Sequence, residues 1–138
     1  MIFLDTDTLS LLFAAHERVT ERFHAEPDEV ATTLITRIEM LTGRFASVLK
    51  APDGLHFFRA QQRLQQTEFN LTTLKIIPAD AQAVAEFDQL CQNKKLRKIG
   101  RADLLIASIA LAHKALLVTR NQRHFRLVPG LKIDNWAD

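Results

Sequence analysis

Apolar residues fall along this chain in two rhythms: short unbroken runs, and longer stretches in which they return every three or four positions. The first predicts buried strands and the second amphipathic helices. Ile2 to Leu4 is such a run, and it ends in Asp5-Thr6-Asp7-Thr8, a turn and N-cap composition, before Leu9, Leu12 and Phe13 at helical spacing. A second helix is predicted from about 17 to 25, stopping at Pro27-Asp28. Val30 to Leu34 is β-compatible, and Thr36-Arg37-Ile38-Glu39 has the S/T-x-x-E form of a capping box, so a helix is expected to open there. Its apolar stripe runs through Ile38, Leu41, Phe45, Val48 and Leu49 until Ala51-Pro52-Asp53-Gly54 breaks it. Another helical stretch continues to about Leu74, and the two together predict a helical hairpin. Lys75-Ile76-Ile77-Pro78 is a short strand stopped by proline, and Asp80 caps a helix with Ala83, Val84, Phe87, Leu90 and Cys91 on one side. Ala102 to His113 is apolar nearly all round, Leu116 to Thr119 is a strand, and Leu131 to Ile133 is a last strand after Val128-Pro129-Gly130.

Strands alternating with helices predict an α/β fold: a short parallel sheet of four to five strands, flanked by helices on both faces, because parallel pairing needs crossovers and these cover the sheet. With 138 residues, 47% hydrophobic and 25% charged, the chain is expected to form one domain, residues 1–138, and not a disordered or repetitive one. One cysteine, Cys91, excludes an internal disulfide and a cysteine-rich zinc site. The N-terminus has no basic leader and no apolar run is long enough to span a bilayer, so a cytoplasmic protein is expected. A net charge of +2 decides little, but its distribution is uneven.

In a βαβ sheet each strand ends at the edge where the next helix begins, and ligands bind there. Asp5 ends the first strand, Glu39 lies in the opening of the helix after the second, Asp103 opens the helix before the fourth, and Asn121 to His124 follow that strand. All are therefore expected at one edge. Carboxylates brought within ~4 Å repel by ~1 to 4 kcal/mol per pair, so three together call for a cation, and hard oxygen ligands select Mg²⁺ or Mn²⁺. Such a site hydrolyses phosphate esters. Lys94, Lys95, Arg97, Lys98 and Arg101 precede Asp103, and Arg120, Arg123 and Arg126 follow at the same edge, as a polyanionic substrate requires. Arg101, with Lys98, Arg97 and Arg120, is the expected nucleic-acid contact.

The blocks LDTDTLS at 4–10, ITRIEML at 35–41, GRADLLIASIALAHKALLVTRNQRHF at 100–125 and VPGLKIDNW at 128–136 resemble a PIN-domain ribonuclease of the VapC toxin type, across essentially the whole chain. The resemblance implies a PIN-like domain, an endoribonuclease dependent on Mg²⁺ or Mn²⁺, a homodimer, and inhibition by a small VapB-like antitoxin. Asp5, Glu39 and Asp103 match the first three acids of the family motif and are the implied metal ligands. Many members carry a fourth acid in the segment matching 121–125, where this chain offers only Asn121 and His124 as candidate catalytic residues. One tight ion with a weaker or substrate-completed second is the expectation.

Plainer roles compete for the same residues. Asp5 and Asp7 both suit capping of the first helix, which is the main role expected of Asp7, and Glu39 suits a capping box. Cys91 belongs in the core, and Phe57 and Phe58 in the core or a dimer contact. No histidine pair has zinc-ligand spacing. Asp5-Thr6-Asp7-Thr8 also has the D-x-D-x-T form of haloacid-dehalogenase-like phosphatases, although Arg120-Asn121 stands where their later acidic pair would be. A PIN fold weakened in catalysis, binding RNA or antitoxin alone, is the other alternative.

Overall fold

A computed structural model describes residues 1–138. Five short strands, β1 (Ile2–Leu4), β2 (Val30–Thr33), β3 (Lys75–Ile77), β4 (Leu116–Val118) and β5 (Lys132–Asp134), pair in parallel in the order β3-β2-β1-β4-β5. Leu4 lies opposite Thr32 on one side and Val118 on the other. The chain builds outward from β1 through β2 to β3, then returns to place β4 on the other side of β1, so the direction of winding reverses between β1 and β4. That reversal opens a crevice at the carboxyl ends of the two strands.

Seven helices cover the sheet: α1 (Thr6–Phe13), α2 (Glu17–Ala25), α3 (Leu34–Leu49), α4 (Gly54–Asn70), α5 (Ala81–Gln92), α6 (Arg101–Ala112) and the single turn α7 (Gln122–Phe125). Alternation along a strand explains the two cores. Phe3 and Leu117 face α5 and α6 with Leu90, Ile106 and Ala110, whereas Ile2, Leu4 and Val118 face Leu9, Val19 and Trp136. Both faces of β1 are thus buried, which is why its sequence is an unbroken apolar run. The expected α/β architecture is present with five strands, and no helix is long and apolar enough to cross a membrane.

Several local expectations need correction. The capping box at Thr36 and Glu39 does not form. Thr33, extended at φ −100° and ψ 159°, is the N-cap of α3, and its hydroxyl accepts from the Thr36 N–H at 3.2 Å. Because β2 runs into α3 without a loop, the helix begins three residues before the box, and Glu39 lies in its second turn. Thr33→Ala is expected to destabilise by about 1 kcal/mol, and Glu39→Ala by much less, in urea unfolding. Asp5, not Asp7, caps α1. The apolar stripe of α3 is largely uncovered, with Ile38, Phe45 and Leu49 exposed, and on α4 Leu55, Phe57, Phe58 and Phe69 are exposed too. α3 and α4 pack along each other as expected, and their buried residues include Met40, Ala60 and Thr67. α4 ends at Asn70, and Cys91 and Val84 are exposed because α5 turns Ala83 and Leu90 inward.

Candidate active site

Asp5 sits where β1 gives way to α1 and is only 5% exposed. Its backbone N–H donates to the Val118 carbonyl at 3.1 Å, which ties it to β4. Both carboxylate oxygens are engaged: Oδ1 accepts from the Thr8 N–H at 2.9 Å, and Oδ2 accepts from the Thr119 hydroxyl at 2.6 Å. Burial pushes the carboxyl above its ordinary pKa, and the Thr119 and Thr8 hydrogen bonds pull it back. The α1 N-terminus favours the charged form as well.

Asp103 is the third residue of α6, whose N-cap Gly100 offers no side chain, and it is half-buried. Its carboxyl is likewise raised, first by burial and then by the negative charges of Glu39 and Asp5; His124 and a hydrogen bond from Asn121 act in the opposite sense. Asp103 therefore senses both other acids at the sheet edge. Asn121 Nδ2 lies 3.5 Å from Asp103 Oδ2 and 3.2 Å from His124 Nδ1, and the Asn121 N–H donates to Thr119 Oγ1 at 2.9 Å. An amide N–H donated to Nδ1 would leave the proton of a neutral imidazole on Nε2.

Glu39 is exposed on α3, and its Oε1 accepts from the Thr6 hydroxyl at 2.5 Å. The Thr36 hydroxyl lies 3.1 Å from that of Thr6. A hydroxyl has one proton to give, so Thr6 gives it to the carboxylate, the stronger acceptor. Sequence reasoning identified the acids but missed the three threonines that orient them, Thr6, Thr36 and Thr119. Their signal was the position of each immediately after a strand or in the first turn following one.

The crevice thus gathers Asp5, Glu39, Asp103, Asn121 and His124, as the strand order implied. No three His, Cys, Asp or Glu side chains close into a preformed cage. The donor set still suits a hard divalent cation: oxygen donors with mutually repelling charges, Asp5 buried and Asp103 half-buried.

The predicted cations divide. Arg97, Lys98 and Arg101 are exposed and free of ion pairs, and Arg97 and Arg101 rim a cleft of about 240 Å³ floored by Leu90, Leu96, Ile99 and Leu104. Arg120 is instead flanked by carboxylates, Asp7 at 3.8 Å and Asp138 at 3.9 Å. These are long, half-exposed pairs that add little to stability and yield readily to a phosphate.

A family model described as the PIN domain matches residues 2–131. The tRNA(fMet)-specific endonuclease VapC of Salmonella typhimurium is 27% identical over 137 residues, covering 97% of this chain and 96% of its own. Ribonuclease VapC2 of Rickettsia felis is 34% identical over 80 residues, 56% of this chain and 60% of that protein. Among solved structures, VapBC2 from Rickettsia felis, bound to a DNA fragment from their promoter, matches with a TM-score of 0.79 at 27% identity, covering 99% of this chain and 99% of that one.

Proposed function

Because the chain belongs to the PIN-domain family, we propose that it is a VapC-type ribonuclease toxin, an endoribonuclease hydrolysing RNA phosphodiester bonds with Mg²⁺ or Mn²⁺ at the Asp5, Glu39 and Asp103 edge. The observation that carries this reading is the electrostatic coupling of three acids at the winding reversal, where Asp103 is raised by both Glu39 and Asp5. The names of the related proteins, an endonuclease and a ribonuclease, agree with it. That family match also displaces the phosphatase reading of Asp5-Thr6-Asp7-Thr8.

Asp5, Glu39 and Asp103 would hold one tightly bound ion, which when bound lowers the pKa of its water and offsets charge on the phosphate. Thr119 and the Thr8 N–H favour the charged form of Asp5 against its burial and fix the carboxylate in place. Thr6 aims Glu39 across the crevice from α1. Asn121, fastened through Thr119, sets the tautomer of His124, leaving Nε2–H as a donor to the phosphate or its leaving oxygen, where a fourth acid is lacking. Arg101, Lys98 and Arg97 hold the RNA backbone, and Arg120 joins them by exchanging its carboxylate partners for phosphate.

The partners follow from the same reading: a small VapB-like antitoxin and a second copy of the chain, working in the cytoplasm. The apolar side chains left uncovered on α3 and α4, Leu49, Phe58 and Phe69 among them, are the kind of surface that such association buries.

The test is incubation of purified protein with total RNA and tRNA in Mg²⁺, Mn²⁺ or EDTA, with Asp5→Asn alongside. Discrete fragments that need metal and vanish in the variant are expected. The absence of a closed cage favours one competitor, a PIN fold that only binds RNA or antitoxin. RNA binding indifferent to EDTA and to Asp5→Asn, without cleavage, would establish that competitor instead.

A further inference from the structure

A groove leaves the acid edge along α3, away from the basic segment before α6. Its first part, about 310 Å³, is lined by Thr6, Ser10, Glu39, Met40, Gly43 and Arg44. Its second, about 150 Å³, shares Ser10, Met40 and Arg44 and continues to Arg63, Gln66 and Asn70 on α4. The two parts form one path from Glu39 to a pair of guanidinium groups. Arg44 is fastened there, since its Nε donates to the Thr67 hydroxyl at 3.0 Å and Thr67 is only 4% exposed. The bond engages Nε, and no carboxylate lies within ion-pair distance of either Arg44 or Arg63, while the only acid lining the groove is Glu39 itself.

Gly43 adds an independent observation. Glycine in the interior of a helix is unfavourable unless close packing or a strained φ demands it. Neither does here: a Cβ at Gly43 would meet nothing within 4 Å, and its φ is an ordinary helical one. The residue forms the open wall of the groove between Glu39 and Arg44, where the backbone of α3 is bare. A missing side chain with no structural purpose, on the path between an acid and a fixed cation, leaves room for a ligand to approach the helix.

We propose that this groove is the track for the RNA strand on the Glu39 side of the scissile bond, with Arg44 and Arg63 binding its phosphates and Gly43 admitting the ribose-phosphate chain against α3. The proposal rests on the ribonuclease reading and adds a second cationic arm to the one at Arg97 to Arg101. About 7.5 Å of helical rise separates Glu39 from Arg44, on the scale of one nucleotide of extended backbone. Phe13, Ala14 and Met40 also line the far part, but its polar groups include Arg44, Arg63, Gln66, Thr67 and Asn70, with no acid among them, and two uncompensated guanidinium groups suit a polyanion.

The experiment measures binding of a fluorescein-labelled, mixed-sequence single-stranded RNA of twelve nucleotides by anisotropy in EDTA, over a salt series, with cleavage in Mn²⁺ recorded in parallel. Arg44→Gln and Arg63→Gln are each expected to weaken binding severalfold and to reduce the slope of log K against log salt by about 0.7, the share of one single-strand phosphate contact. Gly43→Gln is expected to weaken binding while its melting temperature equals or exceeds that of the wild type, which no folding defect produces. Lys132→Gln, at the opposite edge of the sheet, controls for net charge and is expected to bind as wild type. Wild-type affinity and slope in Arg44→Gln, undiminished binding in Gly43→Gln, or an equal loss in Lys132→Gln would each overturn the track. Wild-type protein that binds RNA with the Arg44 dependence but leaves the twelve-mer, total RNA and tRNA all intact in Mn²⁺ would overturn the ribonuclease reading and leave the groove as an RNA-binding track without a scissile bond.

Discussion

Asp103→Asn is expected to lower metal-dependent RNA cleavage by at least about 100-fold, or roughly 3 kcal/mol of transition-state stabilisation, while making the metal-free protein more stable. The two effects have one cause. The carboxyl is raised by burial and by the charges of Glu39 and Asp5, so it is kept ionised at a cost to the fold. Asparagine keeps the shape and removes the repulsion. A rise of a few degrees in melting temperature, corresponding to about 1 kcal/mol, is the expected magnitude. The pH dependence follows the same sign. Asp5 and Asp103 both titrate above the ordinary carboxylate range, so between the unfolded and folded values the native protein holds protons that the unfolded chain has released. Stability of the metal-free protein therefore falls as pH rises through that window, and the fall is expected to be shallower in Asp103→Asn. Calorimetric melts from pH 4 to 7, with and without Mn²⁺, check it; a variant less stable than wild type across that range would sink the account.

Trp136→Ala is expected to destabilise the protein by about 3–5 kcal/mol, a large part of the margin of a domain this size. Trp136 is 2% exposed and closes the core formed by Ile2, Leu4, Leu9 and Val19 on one face of the sheet. Arg22 lies over its ring, 5.3 Å from the centroid, while donating to Asp134 at 3.0 Å. The damage reaches the active site through β5, because the Thr119 N–H donates to the Asp134 carbonyl at 2.8 Å and the Thr119 hydroxyl holds Asp5. The indole N–H is buried without a partner, so Trp136→Phe loses volume but no hydrogen bond and is expected to cost less than half as much. Urea unfolding of the two variants, with the wild-type slope retained, separates the cases. An alanine variant within 1 kcal/mol of wild type would show that the C-terminal segment is not part of the fold.

The correct expectations and the failures have different physical origins. Short apolar runs such as Ile2 to Leu4 reveal a sheet covered on both faces, because burial on both sides removes every polar residue from the strand. Helix stretches with strong breakers, Pro27-Asp28 and Pro52-Asp53-Gly54, end where the chain says they should. Thr36 and Glu39 satisfied a local capping rule, yet β2 flows directly into α3, and backbone pairing with β1 and β3 outweighed one side-chain cap. The stripe of Ile38, Phe45 and Leu49 has helical spacing whether it faces a core or solvent, so periodicity identifies the helix but not its surroundings. Cys91 failed for the same reason.

Sequence by itself determined the elements, their parallel pairing and the placement of Asp5, Asp103, Asn121 and His124 at one edge, because strand direction and short connections leave a βαβ chain no other arrangement. It also located Glu39 there, though by a cap that does not exist. Tertiary structure alone decided what surrounds these groups: the Thr119 and Thr6 hydroxyls on the acids, the carboxylates flanking Arg120, and the groove that joins Glu39 to Arg44 and Arg63. Those depend on which side chains meet across elements distant in the chain, and the pattern of apolar positions within each element carries no record of that meeting.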